Sequence, residues 1–300
     1  MSTDVSSSER TSFLPAELFR PPLLGLMAFV TVYLWKPVAH SLSVLHGTYF
    51  PGTAELWSGA IIGLAGWTLV WRGFGKDDLT ATMLGFFGGG LLWLGWFETG
   101  FDFFAHYQNV PPVGENGMTI LTPNLLIMQA TFVPLIAILI FLGANKDTRC
   151  RMFKWFHRNA RLKPEAPTVG YRRQYSRITA LEMVTVSWFF YVLNIMIYDP
   201  RFLGPMHPVT LSIYGIFIVW AIYLIYKLSK EREMAFSIRY AIPTVGVAWL
   251  PTEMSTHMGL YKEVWIYPTE YVVTNLMIAA ALIAGVVAIL NVPKRSGAAA

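Results

Sequence analysis

The sequence predicts an all-α, polytopic helical membrane protein with about eight transmembrane helices and both termini in the cytoplasm. Hydrophobic residues make up 54% of the 300 residues, while charged residues make up only 14%, against about 25% in an ordinary soluble domain. The mean hydropathy of +0.46 is too apolar for a water-soluble fold. The apolar residues form long unbroken runs, whereas the strands of a membrane β-barrel would show an alternating pattern. Helices are therefore the predicted spanning elements.

Eight apolar stretches carry this prediction, because runs of such length and composition cross a bilayer as helices. They lie at 22–35, 56–71, 80–101, 122–143, 179–198, 209–226, 238–252 and 271–291. The first and the seventh are short and have prolines at their edges. For the seventh stretch, the alternative is a segment that is only half-embedded in the membrane.

The basic residues predict the orientation of these spans. If the N-terminus is cytoplasmic, 20 of the 23 Lys and Arg residues fall on the cytoplasmic side, as is typical of membrane proteins. The outer side then has only Lys36, Arg201 and Lys262. This distribution also explains the pI of about 9.2. The expected contact of the basic residues is anionic lipid of the bilayer, and no nucleic acid partner is expected.

A single transmembrane domain, 21–292, is predicted to contain all of the spans. Residues 1–20 are polar and rich in Ser and Thr, which predicts a disordered cytoplasmic tail, and 293–300 form a C-terminal tail. The sizeable loop 144–178 is basic and is predicted to be cytoplasmic. The lone cysteine, Cys150, excludes an internal disulfide and a cysteine-based metal centre. The predicted location of this multi-pass protein is the bacterial inner membrane.

Acidic residues and histidines gather on the outer side of the predicted membrane. Such side chains are costly near a bilayer unless they are paired, hydrated or bound to a ligand. Carboxylates and imidazoles together suit zinc, iron, manganese or copper. Seven residues in three groups are therefore candidate metal ligands: Glu98, Asp102 and His106; Glu253, His257 and Glu270; and His207.

The spacing of the first group places its side chains together. Glu98, Asp102 and His106 recur every four residues, so they share one face if the third helix continues that far. The alternative is a polar helix end that faces water. Glu253 and His257 have the same spacing, and there the alternatives to a metal site are an ion pair or a hydrated loop.

Other polar residues carry weaker predictions. His207 precedes a span between two prolines, and Asp199 and Arg201, just before it, can pair with each other. His40 and His46 lie in the first predicted outer loop and are expected to be surface residues. The run of three glycines at 88–90 most simply permits close contact between helices.

From about residue 84 onward, the order of features resembles the C subunit of the copper membrane monooxygenases, the particulate methane and ammonia monooxygenase family. Leu92 to Glu98 resembles the aromatic helix of that subunit with its internal Glu. Pro205 to His207 resembles its T-P-x-H element, and Thr252 to Glu270 resembles its last acid- and histidine-rich region. The resemblance implies a metal ion, copper or iron, and a role as one subunit among several.

The chain departs from the pattern of that family at several positions. Thr252 stands where the family has Asn, and His257 is one position off the spacing of the family's His. Glu270 replaces the last His of the family. If the resemblance holds, the ligand set is richer in carboxylates, which favour metals harder than copper.

Three functions fit these observations. The first, which we prefer, is a membrane-bound, metal-dependent oxidoreductase or monooxygenase, or a subunit of one, that takes a small or apolar substrate. The second is a transporter of ions or small molecules, although charges within the predicted spans are scarce and Glu182 is the main candidate. The third is a non-catalytic subunit that packs in a larger complex or a homo-oligomer.

Overall fold

The computed structural model describes residues 15–115, 118–146, 157–159, 161, 168–170 and 173–293. These described residues are 77% helical and include ten helices. They are α1 (Leu23–Tyr49), α2 (Thr53–Arg72), α3 (Asp78–Leu92), α4 (Thr99–Tyr107), α5 (Pro123–Ala130), α6 (Phe132–Ala144), α7 (Tyr175–Tyr198), α8 (Pro208–Ser229), α9 (Met234–His257) and α10 (Val272–Leu290).

Shorter elements connect some of these helices. A π-helical turn, Trp93–Glu98, joins α3 to α4 into one continuous unit. Two short antiparallel strands, β1 (Val113–Glu115) and β2 (Met118–Leu121), form a hairpin between α4 and α5. One 3-10 turn, Ala16–Phe19, precedes α1, and another, Val264–Ile266, precedes α10.

The predicted helical class is confirmed, because all eight apolar stretches are helical, the fourth being divided between α5 and α6. In the described part of the chain, five helical units are long and apolar enough to cross a membrane: α1, the α3–α4 unit, α7, α8 and α10. The pair α5 and α6, bent by 47°, is a sixth if it forms one span. These helices are those of an integral membrane protein.

Helix α9 is less apolar than a lipid-facing span because protein surrounds it. It packs against α1, α7, α8 and α3, and 17 of its 24 residues are buried. A helix in contact with protein on several sides can contain polar residues that find partners on its neighbours. The low hydropathy of the seventh predicted stretch therefore reflects a central position in the bundle.

Helix α1 is longer than the sequence predicted. The prediction ended the first span at residue 35 and placed Lys36, His40 and His46 in an outer loop, which is wrong because α1 continues to Tyr49. Pro37 lies inside the helix, where it removes one backbone hydrogen bond. Packing of α1 against α9, α10 and α8 holds the helix together across this position. The three polar side chains thus belong to the bundle.

The three glycines of α3 allow three other helices to approach it. A Cβ at Gly88 would lie 2.7 Å from a side chain of α2, and one at Gly89 would lie 2.7 Å from the Cβ of Met183 in α7. A Cβ at Gly90 would lie 2.4 Å from the ring of Trp35 in α1. The prediction of close helix contact is therefore confirmed, with each glycine facing a different neighbour.

The predicted tails and cytoplasmic loop lie largely outside the described residues. This holds for 1–14, for 294–300 and for most of 144–178, including Cys150. The prediction of a single domain with two tails stays a prediction.

Candidate functional site

A row of polar side chains runs through the apolar core where α1, α7 and α9 meet. Spacings of three and four residues place the members from each helix on one face of that helix. We call this set the polar seam. It consists of Lys36 and His40 from α1, Ser187, Tyr191, Asn194 and Tyr198 from α7, and Trp249, Glu253 and His257 from α9.

Lys36 is the charged centre of the polar seam. It lies 13 residues from either end of α1, which is about 20 Å at the rise of a helix. Its Nζ donates a hydrogen bond to Ser187 Oγ at 3.2 Å and lies 4.9 Å from the centre of the Tyr191 ring. Glu253 and Glu98 attract its charge. A lysine in the middle of a span is costly, and these partners compensate for the cost.

Glu253 is the acidic partner of Lys36 on α9. Its side chain is 7% exposed, and Trp249 Nε1 donates a hydrogen bond to its Oε2 at 3.1 Å. The amide of Asn194 lies beside this carboxyl and is 1% exposed. In the described structure, neither Nδ2 nor Oδ1 of Asn194 makes a hydrogen bond of good geometry. The seam therefore contains a lysine and a glutamate that interact electrostatically, next to an amide without a well-formed hydrogen bond.

Two histidines that the sequence assigned to the surface have interior partners. His40 Nε2 is hydrogen-bonded to the hydroxyl of Tyr191, and its ring stacks on Trp249 with centroids 5.7 Å apart. His46 is 8% exposed, and its Nε2 lies 2.7 Å from Ser58 Oγ of α2. The prediction that both are surface residues is wrong, because the extended α1 carries them into the bundle.

A cleft of about 780 Å³ lies between α1, the start of α2 and α4, and its lining includes Glu55, Asp102 and His106. We call it the outer cleft because the sequence predicts that it lies on the outer side. The carboxyls of Glu55 and Asp102 are neighbours in this cleft, since Glu55 Oε1 and Asp102 Oδ2 both lie within 4 Å of the position that a Cβ would take at Gly47. His106 Nδ1 lies 3.6 Å from Asp102 Oδ2. Asp102 and His106 thus share one face of α4, as their spacing predicts.

Glu98 lies between the outer cleft and the polar seam. Its carboxyl lies beside Ser43, which lines the cleft, and it also interacts electrostatically with Asp102 and Lys36. Polar and charged side chains therefore form a row from the cleft to Lys36. The π-helical turn that ends at Glu98 is a type of element often found at functional sites.

A second row of acidic groups connects the polar seam with the loop after α9. Glu253 interacts electrostatically with Glu263 of this loop. Thr256 Oγ1 donates a hydrogen bond to Glu263 Oε1 at 2.9 Å. Burial raises the pKa of Glu263, and the bond from Thr256 offsets only part of this effect. Glu263 therefore binds a proton more readily than an exposed glutamate does.

The structure separates the seven predicted metal ligands. Glu98 and Glu253 flank Lys36, whereas Asp102 and His106 line the outer cleft. His257 is elsewhere in the seam, where its ring stacks on Tyr198 with centroids 3.9 Å apart.

The other two candidates lie in exposed positions with local partners. His207 caps the N-terminus of α8, where its Nδ1 accepts a hydrogen bond from the backbone of Val209 at 3.2 Å. Glu270 pairs with Lys262 at 3.0 Å. Within the described ranges, no group of three or more His, Cys, Asp or Glu side chains is placed to hold a metal. A copper or iron cofactor stays a prediction to which these residues supply no ligand set.

Asp199 and Arg201 form the ion pair that the sequence allowed. Arg201 Nη2 lies 2.7 Å from Asp199 Oδ2, and Gln129 of α5 donates to the same oxygen at 2.9 Å. Burial alone would raise the pKa of Asp199, but the hydrogen bonds from Arg201 and Gln129 outweigh it and lower the pKa. This cluster fastens the loop after α7 to α5.

The sequence contained a signal for the polar seam that the predictions did not use. Ser187, Tyr191, Asn194 and Tyr198 recur every three or four residues along one apolar stretch. Such a polar stripe within a span predicts contact with a polar partner on another helix. Lys36 was missed for a different reason, since Pro37 suggested the end of the span.

No protein family, curated protein or solved structure matches this chain. The resemblance to the copper monooxygenase subunit therefore stays a prediction. The function has to be argued from the contacts of the polar seam and the outer cleft.

Proposed function

We propose that this chain is a membrane transporter that moves protons across the bilayer, with Lys36 as the proton-binding group inside the membrane. The observation that carries the proposal is the position of Lys36 in the middle of α1, between Glu98 of the α3–α4 unit and Glu253 of α9. Ionisable side chains inside membrane spans mark ion pathways and proton relays.

Access to Lys36 from one side of the membrane supports this proposal. The row through Asp102 and Glu98 and the row through Glu263 and Glu253 both approach Lys36 from the predicted outer side. On the other side of Lys36, α1 packs into the apolar core through Leu24, Ala28 and Val32. In alternating access, each state of a transporter leaves the binding site accessible from one side of the membrane and closed to the other side.

The transporter alternative had one main objection at the level of the sequence, which was the scarcity of charges within the spans. Lys36, Glu98 and Glu253 now supply three charged groups on three different helical units. The metal-dependent oxidoreductase lacks a ligand set in the part of the chain that is described. A subunit with a purely structural role would have no need of a charged pair beside a cavity.

The proposal includes the complete membrane topology, with eight spans, both termini in the cytoplasm and a location in a bacterial inner membrane. It is supported by the helix found at each of the eight apolar stretches. Because Lys36 belongs to a span, the outer connections retain only Arg201 and Lys262 as basic residues. The excess of Lys and Arg in the predicted cytoplasmic segments is then larger than the sequence alone suggested.

Proton uptake by reconstituted protein tests the proposal. The purified full-length chain is placed in liposomes that contain a pH-sensitive dye, and a potassium diffusion potential drives protons inward. We expect uptake by the wild type and its loss to the level of empty liposomes in Lys36→Met, which keeps the length of the side chain without the charge.

The matched control is Lys262→Met, since Lys262 is half-exposed in a predicted outer loop and pairs there with Glu270. This variant should take up protons as the wild type does. The proposal is wrong if the wild type moves no protons under any imposed gradient, or if Lys36→Met and the wild type take them up at equal rates.

A further inference from the structure

A small enclosed cavity lies at the centre of the polar seam. Its polar lining comes from Lys36 of α1, Asn194 of α7 and Glu253 of α9, and aromatic and aliphatic side chains close the rest. The volume is about 10 Å³, which is room for the centre of one water molecule. A site of about 10–15 Å³ by this measure is the smallest that can hold a water.

Asn194 is the second observation that points to a ligand in this cavity. The side chain is 1% exposed and lines the cavity. It lies beside the carboxyl of Glu253, but in the described structure neither of its two polar atoms makes a hydrogen bond of good geometry. Buried side-chain amides nearly always have partners, either protein atoms or ordered water. A buried amide whose polar atoms lack well-formed hydrogen bonds is unfavourable in a helix bundle.

The charges around the cavity restrict what it can bind. The ammonium of Lys36 repels a cation, and the carboxyl of Glu253 repels an anion. Asn194 presents a donor and an acceptor at once. A neutral molecule of the size of water, which both donates and accepts hydrogen bonds, can satisfy all three side chains.

We infer that the cavity binds one ordered water molecule. The water accepts a hydrogen bond from Lys36 Nζ, donates one to the carboxyl of Glu253 and makes its third bond with the amide of Asn194. Three hydrogen bonds are about the usual number for a buried water. The water joins the ammonium of Lys36 to the carboxyl of Glu253 by hydrogen bonds. Its role as a proton carrier between them rests on the proposed function, whereas its presence does not.

The variant Asn194→Leu distinguishes a hydrated cavity from a dry one. Leucine has nearly the size of asparagine and lacks the polar atoms. In a dry cavity, it would replace an unsatisfied amide with an apolar group, and the melting temperature would stay equal or rise. In a hydrated cavity, it removes one of the bonds that hold the water, and we expect the melting temperature to fall by several degrees.

The reference for this change is Asn275→Leu, which removes an amide with protein partners. Asn275 Nδ2 donates to the carbonyl oxygen of Val264 at 2.9 Å, and its Oδ1 accepts from Ser41 Oγ at 2.9 Å. This variant must lower the melting temperature of the full-length protein in detergent. If the melting temperature of Asn194→Leu also falls, the result supports a bound water. An unchanged or higher melting temperature overturns the inference.

A direct observation decides the same question without any variant. A crystallographic or electron-microscopy map of the full-length protein, at a resolution that reveals ordered water, should have density within hydrogen-bond distance of Lys36, Asn194 and Glu253. Empty space there beside well-defined side chains overturns the inference. If the map has density for the water but the protein moves no protons, the proposed function is refuted and the bound water is not. If the protein takes up protons but the cavity is empty, the bound water is refuted and the proposed function is not.

Discussion

Lys36 and Glu253, from α1 and α9, face the same small cavity in the core of the helix bundle. They are separated by more than two hundred residues in the sequence, and each is placed by a helix that packs tightly against the other. Both side chains therefore lie inside the bundle, and they do not form an ion pair at the protein surface. Their common position explains why the most central helix of the bundle is also one of the least apolar.

Removal of one member of this pair should destabilise the protein more than removal of both. Lys36→Met leaves Glu253 and Glu98 without their cation, and the loss of unfolding free energy should be about 3 kcal/mol, as for other interior pairs that lose one partner. In the double variant Lys36→Met, Glu253→Gln, part of that loss should be recovered, with a coupling of about 1 kcal/mol or more.

Thermal or chemical unfolding of the single and double variants measures this coupling. The comparison pair is Lys262→Met with Glu270→Gln, whose members are half-exposed in the loop between α9 and α10. Exposed pairs contribute little to stability, so this second cycle should give almost no coupling. Additive effects of Lys36→Met and Glu253→Gln would show that the two groups do not interact.

Proton uptake should depend on the carboxyl of Glu253 and not on carboxyls in general. Glu253→Gln keeps the shape of the side chain but cannot release or accept a proton, so uptake should fall to the level of empty liposomes. Glu253→Asp keeps the carboxyl on a shorter side chain and should retain part of the activity. Glu270→Gln, with its pair at the surface, should have the wild-type rate. Equal rates for all three variants would remove Glu253 from the pathway.

Hydropathy was sufficient to find the helices of this fold. Each of the eight stretches is helical, because long apolar runs have few ways to satisfy their backbone groups except as helices. Hydropathy was not sufficient to predict where α1 ends. Pro37 inside that helix costs a hydrogen bond that tertiary packing makes up for, and local sequence contains no information about that packing.

The candidate site was harder to predict than the fold. Glu98 and Glu253 were recognised as important, but they were grouped with residues on their own helices, such as Asp102 and His257. The structure instead pairs them with Lys36. Spacing along one helix predicts which side chains share a face, and it cannot predict which other helix that face meets.

The stability of the protein should depend on pH through Asp199. Its pKa is lowered in the folded state, because the hydrogen bonds from Arg201 and Gln129 outweigh the effect of burial. A carboxyl with a lowered folded pKa stabilises the protein above its unfolded pKa, which is about 4 for aspartate. This stabilisation is lost as the pH falls through the folded pKa.

Melting temperatures of the wild type and Asp199→Asn, measured from pH 7 to pH 2, check the effect. The wild type should be the more stable of the two at pH 7, and the difference should shrink below about pH 4 as Asp199 becomes protonated. Glu270→Gln serves as the control, because the exposed pair with Lys262 should contribute little at any pH. A constant difference between the wild type and Asp199→Asn would contradict the role of the carboxylate charge.

The close contact between α3 and α7 should make Gly89 intolerant of even one added methyl group. A Cβ there would lie 2.7 Å from the Cβ of Met183 and 2.9 Å from the backbone of Ala180. Because backbone atoms cannot rotate away, the two helices must separate, and Gly89→Ala should cost about 1–3 kcal/mol of unfolding free energy.

Gly215 in α8 provides the matched control, since a Cβ there has nothing within 4 Å. Gly215→Ala should leave the unfolding free energy unchanged or raise it by up to about 1 kcal/mol. If both substitutions have the same effect, the glycines of α3 do not set the distance between these helices.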